Sequence, residues 1–306
     1  MSNSPSAFRT QSATFCRGAA AIIVLTGSMA GGFTAQRPLP SVDRPVSKTS
    51  AVDGPTKLST IETIAINKAG STELNWSFGG RAQRGWAIYI PLILEAVGTD
   101  KGIETSEFAK AVARWQTHRG LRANGIVDQD TWLEMIRELQ SPRIKDRNIA
   151  TSDSLVVAPP SDCYDDERPA ELRQIERNAY EAYKRMMSAA AKDRSLGLRV
   201  TASGALDPSE KYLKIISAFR SREHQDRLRK AEPQAGRASL AVNSPHFTGR
   251  AIDLYVGGEP VSTADGNRLV QTRTPVYRWL VKNAKKFGFR PYFYEPWHWE
   301  YVSGPQ

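Results

Sequence analysis

Apolar residues recur at helical spacing along several stretches of the chain. Trp86, Ile90, Ile93, Leu94 and Val97 line one side of a helix that Gly98 stops. Phe108, Val112 and Trp115 share a face after Thr105-Ser106, and Trp132, Ile136 and Leu139 come after Asp128, a candidate N-cap. Gly120 and Gly125 suit a tight turn between these last two helices. The pattern predicts a small all-α module of three helices. Beyond it, Leu172, Ile175, Ala179, Tyr183, Met186 and Ala190 predict a long helix from Pro169 to about residue 193. Arg222 to Ala231 reads as a charged helix, and Val276, Trp279, Leu280, Ala284 and Phe287 as one that starts at Thr274 or Pro275 and ends at Gly288. Strands are expected over Tyr212 to Phe219, over the alternating Ala251 to Val256, and from Trp297 onward, where β-branched and aromatic residues dominate. The second half is therefore α+β.

The stretches with neither period divide the chain. Arg9 and Arg17 precede the mostly apolar run Ala19 to Ala30, which ends in the small-x-small sequence Ser28-Met29-Ala30 before Gly31-Gly32. Residues 1–35 are read as an export signal, since this run is well short of the roughly 20 residues that span a bilayer. Residues 36–80 form a linker, rich in Pro, Ser and Thr up to Leu58, with Ile61, Ile64 and Ile66 marking a short strand or helix packed on the next unit. The helical module occupies 81–140, a second linker with a short strand at Leu155 to Val157 occupies 141–162, and the α+β domain runs over 163–306. The protein is expected in the periplasm, cell wall or medium, as a monomer with no stable membrane span.

Charge and cysteine content narrow the chemistry. The net charge of +10 favours anionic partners, but no basic helix is interleaved with aromatics, which argues against nucleic acid. Cys16 and Cys163 are the two cysteines; loss of the leader removes one, so neither an internal disulfide nor a thiolate metal site is expected.

Any metal must then use imidazole and carboxylate. Of four histidines, His246 and His298 sit in Ser244-Pro-His246-Phe-Thr-Gly249-Arg-Ala251-Ile-Asp253 and Glu295-Pro-Trp-His298, while His118 and His224 read as solvated. Pro245 disfavours helix at His246, and Gly249 permits a reversal. In the strand after that reversal Ile252, Leu254 and Val256 face the core, leaving Asp253 on the other face beside the small Ala251. His246, Asp253 and His298 are thus candidate ligands, and three protein ligands leave a position for water. Glu295, set before the strand that carries His298, is placed to act as base. Glu300 shares a strand face with His298 and is a candidate for fixing its ring. Upstream, Phe219-Arg220-Ser221-x-x-x-Gln225 forms a strand-to-helix turn whose side chains can enter a cleft.

These residues carry two resemblances. Phe108-x-x-Ala111-Val112-x-x-Trp115-Gln116-x-x-x-Gly120-Leu121-x-x-x-Gly125-x-Val127-Asp128-x-x-Thr131-Trp132 resembles the three-helix peptidoglycan-binding domain, which implies attachment to wall glycan, with Trp115 and Trp132 read as core. Ser244-x-His246-x-x-Gly249-x-Ala251-x-Asp253 with Glu295-x-Trp297-His298, behind the Arg220 turn, resembles the zinc D-alanyl-D-alanine carboxypeptidase and dipeptidase family, VanY-like. That likeness implies a hedgehog/D-Ala-D-Ala-peptidase-like domain with a central, mainly antiparallel sheet, and zinc (Zn2+) on His246, Asp253 and His298. It further implies Glu295 as general base, Arg220 at the scissile carbonyl, and Ser244, Gln225 and Ser221 holding a peptidoglycan stem peptide. Phe219 stands where the family often has tyrosine, and residues 257–273 form a longer insertion at the substrate entrance. An endopeptidase or an L,D-carboxypeptidase on the same fold is the alternative. A non-catalytic wall-binding protein with structural zinc is the alternative of another class.

Overall fold

A computed structural model describes residues 58–231 and 241–302, all within one compact unit. The expected export signal and nearly all of the Pro/Ser/Thr-rich tether lie outside the described residues. Chain order begins with helix α1 (Thr60–Glu73), started by a reciprocal cap between Ser59 and Glu62. Its buried face is polar: Thr63, Asn67 and Ser71 turn inward while Ile61 and Ile66 are exposed. Asn67 explains this, because its Nδ2 donates to the Gly125 carbonyl and its Oδ1 accepts from the Val127 amide, each at 2.9 Å. The short strand or helix expected around Ile61, Ile64 and Ile66 is therefore a helix packed on the next unit, through Asn67 rather than through the isoleucines.

Antiparallel strands β1 (Asn75–Phe78) and β2 (Arg81–Arg84) lead into the three expected helices, α2 (Ile90–Val97), α3 (Ser106–His118) and α4 (Gln129–Gln140). Thr105 and Asp128 cap the last two, accepting from the Phe108 and Thr131 amides. Trp86, Phe108, Val112 and Trp132 fill the centre, and Trp115, also buried, donates its indole N–H to Glu138. Buried Gln116 ties down the turn before α4 through the Ile126 carbonyl and Gly125 amide, both at 2.9 Å.

Residues 141–162 run across the body of the molecule, with β3 (Leu155–Val157) paired antiparallel to β4 (Gln174–Glu176). This pairing shortens the long helix. Pro169 opens only a single turn, Ile175 is buried as a strand residue, and α5 (Arg177–Lys192) begins where the Glu176 carboxylate accepts from the Ala179 amide. The helical spacing that Leu172 and Ile175 share with the inward face of α5 was coincidental.

The main sheet has four antiparallel strands in the order β5 (Ile215–Ser217), β6 (Ala251–Leu254), β8 (His298–Tyr301), β7 (Phe289–Pro291). The charged helix α6 (Arg222–Ala231) comes after β5. The insertion contains α7 (Asp265–Arg273), and α8 (Pro275–Asn283) continues through a turn to Gly288. Two contacts fuse the helical module to this half. Phe293, 1% exposed, packs among Trp76, Phe78, Tyr89 and Trp132. Arg268 of the insertion, also 1% exposed, donates to the Tyr89 hydroxyl and the Tyr294 carbonyl.

Candidate metal centre

Sheet register does the first part of the assembly. Asp253 of β6 sits directly opposite His298 of β8, which brings Asp253 Oδ1 to 2.9 Å from His298 Nδ1. His246 arrives from the short helical turn Pro245–Thr248, started by Ser244, whose hydroxyl accepts from the His246 amide. Gly249 then reverses the chain into β6 at φ 66°, a conformation glycine adopts without strain. A Cβ there would also stand 3.0 Å from the Glu176 backbone nitrogen and 2.9 Å from Leu155 Cδ2, so a side chain would crowd the turn. As a result, ligand atoms of His246, Asp253 and His298, all buried, lie within 4.8 Å of one another.

The outer hydrogen bonds orient both rings. His246 Nδ1 is 2.6 Å from the Ala218 carbonyl, which only accepts, so Nδ1 carries the proton and the Nε2 lone pair faces Asp253 Oδ2 at 3.4 Å. His298 Nε2 lies 3.3 Å from Glu300 Oε1, which leaves Nδ1 for the centre. Once the proton that His298 Nδ1 shares with Asp253 is displaced, two imidazole nitrogens and one carboxylate, with no thiolate, would fit a divalent ion that takes nitrogen and oxygen ligands. With three protein ligands the set is open rather than closed.

The electrostatics of the cluster follow from its burial and from these close pairs. Burial pushes the Asp253 carboxyl up, but the two imidazoles outweigh it and hold the group well below the usual carboxylate range. Burial pulls His298 down, yet its bonds to Asp253 and Glu300 prevail and raise it to about 9. For His246 burial wins and the pKa falls. Glu295, 7% exposed, is pushed up to about 8, chiefly by burial and further by the Asp253 charge, against His298, Arg143 and Arg220. Burial lowers Arg220, opposed by Asp253 and Glu295.

All these groups border one cleft of about 420 Å³, lined also by Tyr292, Trp297 and four arginines, Arg143, Arg147, Arg168 and Arg220. Arg220 is held at 2.9 Å from Gln225 Oε1 and 3.1 Å from Ser217 Oγ, with Asp253 Oδ2 3.7 Å away. Ser244 lines the cleft as well. Gln225, 1% exposed, spends its amide on Arg220 and the Ala241 carbonyl, and Ser221 accepts from the His224 amide at the start of α6. His224, expected in solvent, borders the cleft instead, since α6 packs alongside it. His118 is exposed as expected. From the insertion, Val261 reaches the cleft wall. Arg143, Arg147 and Arg168 were not anticipated, and nothing local to their sequence marks them.

An open cluster of two imidazoles and a carboxylate, with a buried acid and a fixed arginine beside it, has the groups that metal-dependent hydrolysis requires. The family is narrower. Residues 172–304 match VanY, D-alanyl-D-alanine carboxypeptidase, and residues 93–135 match the peptidoglycan-binding domain, so the chain carries a VanY domain behind a wall-binding one. The pair supports a peptidoglycan-acting hydrolase. No curated protein matches the chain. No helix among the described residues is long and apolar enough to cross a membrane.

Proposed function

We propose that this protein is an exported zinc metallopeptidase that removes the terminal D-alanine from peptidoglycan stem peptides while its helical module holds the wall. His246, Asp253 and His298 would hold the ion, which when bound would supply Lewis acidity and make water a competent nucleophile near neutral pH. Glu295 takes a proton from the attacking water as the oxygen–carbon bond forms, and returns it to the leaving amine as the carbon–nitrogen bond breaks. Burial raises its pKa, and the positive charge of a bound ion beside it would draw it back toward the ionised form a base needs. Arg220, fixed by Gln225 and Ser217, faces the negative charge that develops on the carbonyl oxygen. The positive cleft wall favours peptides that end in a free carboxylate. Ser244 is assigned to the peptide, with Gln225 and Ser221 contributing by shaping the Arg220 turn.

The convergence of His246, Asp253 and His298 beside Glu295 in one cleft carries this reading. Mass spectrometry of purified muropeptides incubated with the protein tests it. Loss of one terminal D-alanine, abolished by chelator and restored by zinc, is expected. Cleavage of cross-links, or removal of a residue from an L-centre, would instead select the endopeptidase or L,D-carboxypeptidase. No hydrolysis of any muropeptide, with an ion needed for folding, would select the structural zinc protein.

A further inference from the structure

We propose that Arg143, with the Ile144 amide beside it, is a positioning residue for the His298 ring and acts through Glu300. Arg143 lies between the two matched segments, 93–135 and 172–304, and belongs to neither. The inference rests on the metal-site reading above and adds a residue from outside the peptidase domain to it.

Glu300 is fully buried, and such a carboxylate persists only when donors surround it. Oε1 accepts from Arg143 Nε at 3.0 Å and from Arg143 Nη2, and Oε2 accepts from the Ile144 amide at 2.7 Å. The same Oε1 faces His298 Nε2 at 3.3 Å. Residues 143 and 144 thus hold the carboxylate from one side while the imidazole meets it from the other. The guanidinium is in turn fixed on two sides. Its Nη1 donates at 2.6 Å to Gln140, the last residue of α4, and its plane lies 4.0 Å over the Tyr292 ring. Tyr292 donates its backbone N–H to the His298 carbonyl at 3.0 Å. Arg147 does not share this role, because its nearest nitrogen stands 3.8 Å from Glu300 Oε1, beyond hydrogen-bond reach. A path of direct contacts therefore runs from the end of the wall-binding module through Arg143 and Glu300 to a metal ligand. Without Arg143 the Glu300 carboxylate loses its two-pronged partner, and the ring loses the fixed acceptor that keeps Nδ1 pointing inward.

The test uses the full chain and Zn2+ alone, titrated against a chromophoric chelator, with thermal melts in excess chelator to verify folding. Wild type is expected to take up one ion. Arg143→Gln is expected to bind it about 10- to 100-fold more weakly, and Arg143→Lys, which restores one donor, to fall in between. Glu300→Gln should also weaken binding, and the Arg143→Gln/Glu300→Gln pair should be no weaker than Glu300→Gln alone, because the two act in series. Nitrogen NMR of the His298 ring should show Nε2–H dominant in wild type and a mixture of tautomers in Arg143→Gln. Folded Arg143→Gln with wild-type affinity, or losses that add in the double variant, overturns the proposal while leaving the metal site in place. Should Arg143→Gln not fold, Arg143→Lys decides, and wild-type affinity there together with an unchanged tautomer overturns it. A wild type that takes up no ion overturns the metal reading itself.

Discussion

The helical module and the sheet domain bury different things. In the helical module, with α1 packed on it, the interior is Trp86, Phe108, Val112, Trp132 and their neighbours, while charges stay outside in pairs such as Lys68 of α1 with Glu104, both more than 60% exposed. In the sheet domain Asp253, His246, Glu295, His298 and Glu300 are all inside, and the pair Arg143–Glu300 is nearly dry. Exposed pairs contribute little because water and salt screen them, whereas a buried charge must be matched or it destabilises the fold. The module is thus built for stability. The sheet domain accepts the cost of burying charge, and a cluster of buried titratable groups in a cleft is what the proposed activity requires.

This contrast can be broken experimentally. The largest effect is expected from Glu295→Gln, which should lower turnover about 100- to 10,000-fold while zinc stoichiometry and sedimentation with insoluble peptidoglycan stay at wild-type levels. Retained turnover would remove Glu295 from its assigned role. Next comes Phe293→Ala, which empties a ring from the aromatic cluster joining the two regions. It should cost about 3–5 kcal/mol, seen as a lowered denaturation midpoint, and should also reduce turnover because Phe293 lies two residues from Glu295. A separate early unfolding step of the module would show instead that the halves are energetically independent. The smallest effect is Lys68→Ala, expected to shift stability by no more than about 0.5 kcal/mol; a loss comparable to Phe293→Ala would refute the division drawn between the two regions.

The module was legible because its information is local. A period of 3.6 set its apolar faces, and Thr105 and Asp128 announced helix starts within one turn of where they occur. At α1 local spacing left strand and helix both open, and its inward face is set by Asn67, which bonds to a loop 58 residues away. At Gln174–Glu176 the helical period misled, because pairing with Leu155–Val157 outcompeted a helix. Both cases have one cause, since a partner distant in sequence leaves no trace in local spacing.

The sequence by itself determined which chemistry is available to this protein. Histidine and carboxylate at Ser244 to Asp253 and Glu295 to His298, in a chain whose two cysteines, Cys16 and Cys163, lie outside both segments, limit a metal there to nitrogen and oxygen ligands. Alternation along β6 also set the face from which Asp253 projects. Only the tertiary structure decided which nitrogen of each imidazole faces Asp253, that His224 borders the cleft, and that Arg143 pairs with Glu300, beside His298, from 157 residues away in sequence. Residue types set what a side chain can do, but lone-pair direction and charge pairing depend on which strands lie side by side, and that is settled by packing the whole chain.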